Sequence, residues 1–156
     1  MRLWHKDLIP VLPDKWLVAQ WRELSAISGK LIKHGSPQHA LVNKITQYEH
    51  QHFSQYTWIV KEELIKRGIK FRFNVWYKIV QQSKEAFDKY EFDKFEGGLI
   101  PYNNTEELFH EWHNNKYLIQ CYYNLQEKYD CGLLTQHEFD KIKQCVSFIV
   151  GGLCII

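Results

Sequence analysis

Apolar residues recur along much of this chain at three- and four-residue steps, the period of an amphipathic helix. Leu17, Trp21, Leu24, Ile27 and Leu31 form one such stripe behind Pro13-Asp14, where Asp14 is placed to cap free backbone N–H groups. This predicts a helix from Asp14 to about Ile32, ended by Gly35-Ser36-Pro37. A second helix is expected over about 50–67, with Phe53, Tyr56, Val60 and Leu64 on one face and Gly68 as its stop. Segment 38–49 is either short and irregular or the early start of that helix. Lys70-Phe71-Arg72-Phe73 alternates too briefly to define a strand, and a short helix fits at about 82–90, before the break at Gly97-Gly98. Thr105 opens a predicted long helix to about Tyr129, with Glu106 and Glu107 in its first turn, where the helix dipole favours acids. Asp130-Cys131-Gly132 turns the chain. Thr135 and Glu138 then form a capping box for a last helix with the stripe Phe139, Ile142, Cys145 or Val146, and Ile149. The sum is an all-α fold with little or no sheet.

A chain of 156 residues falls within the usual range for one domain. Neither an internal repeat nor a low-complexity linker forces a boundary, so a single helical domain over 1–156 is expected. An apolar share of 45% supports a core, and a charged share of 24% argues against disorder. Four cysteines at 121, 131, 145 and 154 make no Cys-x-x-Cys pair, which leaves a zinc ribbon or thioredoxin motif unsupported. With no basic-then-apolar leader at the N-terminus, they read as thiols of a cytoplasmic protein. The apolar run from Cys145 to Ile156 is too short to span a bilayer, which takes about 20 residues. It reads as a buried C-terminal segment, and no membrane partner is expected.

The net charge of +2 hides a division. Residues 1–73 carry 12 Lys/Arg against 6 Asp/Glu, whereas residues 74–156 carry 8 against 12. The basic half points to an anionic partner. Lys30, Lys33 and His34 end the first predicted helix, and Lys66, Arg67, Lys70 and Arg72 follow the second. Helix dipoles alone would favour cations there, and the same groups can also neutralise phosphates. Within the first helix, Arg22 and Glu23 project about 100° apart. Glu23 adjoins the apolar stripe, where partial burial suits a carboxyl to acid–base work as well as to a structural ion pair. Of the eight histidines, His110 and His113 are three apart, a spacing that on a helix can share a metal given a third ligand. No such ligand set is evident, and no metal is expected. Residues 130–139 lack the alternating acids of a calcium loop.

The run Trp16-Leu17-Val18-Ala19-Gln20-Trp21-Arg22-Glu23-Leu24, followed by Gly29 and Lys33-His34, resembles the catalytic helix of the phage endonuclease V family of pyrimidine-dimer DNA glycosylases. Ile59-Val60-Lys61-Glu62-Glu63-Leu64-Ile65-Lys66-Arg67-Gly68 resembles a later helix of that family, which also ends Lys-Arg-Gly. His39-x-x-Val42-Asn43 and His113-Asn114-x-x-Tyr117-Leu118 are similar to its bacterial members. The phage-like block covers about 1–73, and 74–156 is a divergent helical portion.

The resemblance implies a glycosylase with coupled abasic-site lyase activity on damaged double-stranded DNA, needing no cofactor. It makes the N-terminal α-amine the nucleophile, here that of Met1, which is expected to stay because Arg2 is too large for methionine removal. By the same resemblance, Glu23 shuttles protons and Arg2, Arg22, Lys33 and His34 contact DNA. The chain departs from the phage pattern at Trp16, where the family has a His, and at Ala26, where it has an Arg. The phage enzyme's basic, aromatic C-terminal tail has no match. The alternative reading is a non-catalytic helical DNA-binding or protein-interaction module that keeps the fold. Neither reading fixes the lesion or the oligomeric state.

Overall fold

The computed structural model describes residues 2–92 and 106–151. Every element among them is helical: a short 3-10 helix Lys6–Val11, then α1 (Asp14–His34), a second 3-10 helix Val42–Gln47, α2 (His50–Lys66), α3 (Phe73–Lys89), α4 (Asn115–Asp130) and α5 (Gln136–Ile149). The all-α expectation holds.

The stripe foreseen for α1 is buried throughout, and so are Phe53, Tyr56, Val60 and Leu64 of α2. These faces meet α3 in a helical layer, while α4 pairs with α5 and α5 rests on the first 3-10 helix. Gly35 ends α1 with φ of 68°, and a Cβ added there would come within 3.0 Å of the Tyr90 ring. Only glycine satisfies both conditions.

Several expectations need correction. Pro13 rather than Asp14 is the N-cap of α1, and it makes no side-chain cap bond. Asp14 instead accepts from Arg67 at 3.0 Å. The third helix begins at Phe73, well before 82. The fourth begins at Asn115, because residues 106–113 are turns and the Asn114 side chain caps by accepting from Tyr117 N at 3.1 Å. Thr105 and Gly97-Gly98 lie outside the described residues, as do Met1 and the tail after Gly151. The capping box at Thr135 and Glu138 forms as expected. Val146 packs in the core, but Phe148 on the same apolar run is 87% exposed. No helix among the described residues is long and apolar enough to cross a membrane.

Arg67 ties the N-terminal turn to α2. Its guanidinium donates to Glu63 Oε1 at 2.7 Å and to the carbonyls of Ile9 (3.3 Å), Pro10 (2.8 Å) and Leu12. These are carbonyls that the 3-10 turn leaves without internal partners. Arg67→Ala should lower stability by about 2 kcal/mol, measured as a shift of the urea midpoint. Arg67→Lys should recover little of it, because an ammonium cannot reproduce the planar fork.

Candidate active site

Residues 2–5 form no regular element, so their backbone groups need side-chain partners. Three helices supply them. Gln20 of α1 is fully buried, and its amide spans the segment: Oε1 accepts from Trp4 N at 2.9 Å, and Nε2 donates to Arg2 O at 3.0 Å. The Tyr56 hydroxyl of α2 donates to Trp4 O at 2.7 Å. The Tyr117 hydroxyl of α4 donates to Leu3 O. Burial pushes both phenols well above the usual tyrosine range, which keeps them protonated as donors. The N-terminal segment is thus fixed from Arg2 to Trp4 by contacts that no local sequence supplies.

This clamp places Arg2 beside Glu23. The Arg2 backbone N–H donates to Glu23 Oε2 at 2.9 Å. The Arg2 guanidinium donates to Asn124 Oδ1 at 3.1 Å and lies 5.4 Å from the Trp4 ring centre. Arg2, Trp4, Trp16, Glu23, Asn124 and Lys128 surround a cavity of about 320 Å³. The motif at His39 and Asn43 closes its rim: Asn43 Oδ1 accepts from His39 N at 3.2 Å and Ser36 Oγ at 3.0 Å, folding a tight turn that sets His39 on the pocket wall. A half-buried carboxylate, two cations and several rings therefore converge where the chain enters the fold.

The other expected site residues lie apart from this pocket. Arg22 is exposed and lines a separate groove of about 390 Å³ with Trp21, Lys70, Phe71 and Arg72. Lys33 and His34 are exposed at the end of α1, roughly 15 Å from Glu23 along the helix axis at 1.5 Å per residue. Met1 lies outside the described residues. The structure thus joins Arg2 to Glu23 and spreads the remaining cations over the neighbouring surface of α1.

A larger cleft, about 900 Å³, shares no residue with the Glu23 pocket. It is lined by His5, Lys6, Glu62, Lys66, Glu106 and His113 among others. His5 Nδ1 accepts from Asp7 N at 3.3 Å and His113 Nδ1 accepts from Lys6 N at 3.0 Å. Each neutral ring then carries its proton on Nε2, and its unprotonated Nδ1 is already taken by a backbone N–H. His110 and His113 sit in the turn before α4, so their three-residue spacing does not put them on one helical face.

Sequence reasoning missed Gln20, Tyr56, Tyr117, Asn124 and Lys128 as parts of this site. Gln20 carried a legible signal, being a polar residue three after Leu17 and four before Leu24, on the apolar stripe itself. Asn124 meets Arg2 across 122 positions of chain, a pairing that periodicity cannot foresee.

Residues 1–76 match the family model described as pyrimidine dimer DNA glycosylase. No curated protein and no solved structure matches the chain. The match takes in the clamped N-terminus, Gln20, Glu23 and Tyr56, and stops short of Asn124 and Lys128. Over residues 1–76, just under half of its length, the chain is similar to the pyrimidine dimer DNA glycosylase family.

Proposed function

We propose that this protein excises damaged bases from duplex DNA and then nicks the strand by β-elimination, with the Met1 α-amine as nucleophile and Glu23 as proton carrier. An α-amine has a pKa of about 7.7–8.0, so much of it is neutral and nucleophilic near neutral pH. The amine attacks the sugar C1′ and the base departs with the bonding electron pair. The amine loses a proton and the sugar ring opens, leaving an imine. Removal of a C2′ proton then expels the 3′ phosphate, and water hydrolyses the imine to release the enzyme. Glu23 is suited to carry the protons of these steps and to stabilise the cationic sugar.

One observation carries this reading: the Glu23 carboxylate accepts from the backbone N–H of Arg2 at 2.9 Å. Met1 is the residue bonded to that nitrogen. An amine and a carboxylate are the two groups the chemistry needs. Arg2, Arg22, Lys33 and His34 are assigned to the phosphate backbone, which such an enzyme must hold while the duplex is kinked and a base is turned out.

Borohydride reduction during incubation with abasic-site duplex tests the proposal. The expected result is a covalent protein–DNA species that is lost when the N-terminal amine is acetylated. Salt-sensitive DNA binding with no trapped species supports the non-catalytic module instead.

A further inference from the structure

His39 stands on the wall of the Glu23 pocket, and its ring nitrogens have no hydrogen-bond partner among the described residues. The turn that carries it is built by Asn43. The Asn43 backbone N–H donates to His39 O at 2.8 Å, and its Oδ1 accepts from His39 N at 3.2 Å. The residue is thus held by its backbone alone, and its side chain is left over. The ring is half-buried. Its Nδ1 is shut away from solvent, which leaves Nε2 as the nitrogen open to proton exchange.

The chemistry proposed at this pocket calls for a second proton carrier. Attack at the sugar C1′ brings the amine to one face of the sugar while the base leaves from the other. Glu23 accepts from the backbone N–H of Arg2, on the side where the chain begins. The departing base takes the electron pair of the C1′–N bond and leaves poorly until a proton neutralises it. Enzymes that cleave glycosidic bonds divide such work, one group serving the leaving side and another the sugar. Of the side chains lining the pocket, Glu23, His39 and Lys128 can exchange a proton, whereas guanidinium, amide and indole groups do not. The Lys128 ammonium stacks on Trp16, 4.3 Å from the ring centre. An ammonium is a weak acid for this task near neutral pH, whereas imidazole is the side chain whose charge change falls there.

We infer that His39 is the general acid of base excision: its Nε2–H gives a proton to the departing pyrimidine as the C1′–N bond breaks, leaving a neutral imidazole and a neutral base. This rests on the Glu23 pocket being where the base is excised. It gives the pocket two proton carriers with separate tasks, and it ties His39 to excision and not to strand cleavage.

The test compares two duplexes under single-turnover conditions, one with a cyclobutane pyrimidine dimer and one with a preformed abasic site. The second has no base left to protonate. His39→Gln should slow excision from the dimer duplex about 10²-fold and leave cleavage of the abasic duplex within about threefold of the original. His39→Ala should behave alike, and added imidazole should raise its excision rate about tenfold. The retained abasic reaction shows at the same time that the variants are folded. His137→Gln, exposed on α5, should change neither reaction. Equal losses on the two duplexes would assign His39 to holding DNA and overturn the inference. Excision by His39→Gln within about threefold of the original overturns it too. An original protein that nicks abasic sites without excising the dimer overturns the inference alone, and one that cleaves neither duplex sinks the glycosylase reading as well.

Discussion

Glu23→Gln lowers the rate of strand cleavage on abasic duplex by about 10²–10⁴-fold, the usual contribution of a positioned acid–base group. Binding of the same duplex stays within about threefold of the original. Glutamine is nearly isosteric with glutamate, and its Oε1 can keep accepting from Arg2 N, where Glu23 now accepts at 2.9 Å. The clamp on Arg2, Leu3 and Trp4 does not depend on a carboxylate, since Gln20, Tyr56 and Tyr117 hold it. What is lost is the charge facing the sugar and the group that carries protons. Single-turnover cleavage beside equilibrium binding separates the two effects. Cleavage retained within tenfold would show that Glu23 is structural. Loss of both cleavage and the thermal transition would mean that the Arg2 contact needs the charge to hold the fold.

The second large effect is on stability in acid. His52 is 6% exposed, stacks on Phe109 and accepts from Phe109 N at 2.9 Å. Burial above all, with His110 and Lys6 adding to it, pushes its pKa down to about 4. Burial also lowers His5 and His113, which stack on each other 5.1 Å apart. In the unfolded chain each imidazole titrates near about 6.5. Between about 4 and 6.5 the unfolded state binds more protons than the folded one, so stability rises with pH across that window. The stabilisation is whole above 6.5 and is lost as pH falls toward 4, by about 3 kcal/mol from His52 alone. Urea midpoints at pH 7.5 and pH 4.5 measure it. The expected result is a marked drop at the lower pH that shrinks in His52→Gln. A flat profile would mean that these rings take up protons as readily in the folded protein as in the unfolded chain.

The burial of α1 and α2 was legible because their stripes are clean and their ends are marked by Gly35 and Gly68. The family block was legible for the same region. Segment 73–80, Phe-Asn-Val-Trp-Tyr-Lys-Ile-Val, is rich in β-branched and aromatic residues, whose local preference opposes a helix. Packing of α3 on α1 and α2 overrides that preference, burying Ile79, Ser83, Ala86 and Phe87. The early start given to α4 rested on acids at 106 and 107, while the working cap was Asn114, an ordinary N-cap residue type. At the site, Glu23 and Arg2 were reached through resemblance, and the structure adds their contact. Arg22 was also reached through resemblance, and the rotation of about 100° that separates it from Glu23 on the helix turns it into a separate groove. Asn124 and Lys128 were beyond reach, because they meet the N-terminus only once α4 has docked.

The proposed bond between enzyme and DNA forms at the α-amine of Met1. Its most direct test is to reduce the protein–DNA intermediate with borohydride, digest it, and locate the adduct by mass spectrometry. The expected result is one modified peptide, carrying the sugar remnant on the α-nitrogen of Met1. An adduct on a lysine side chain, such as Lys15 or Lys128, or no adduct at all in protein that binds the duplex, would contradict it.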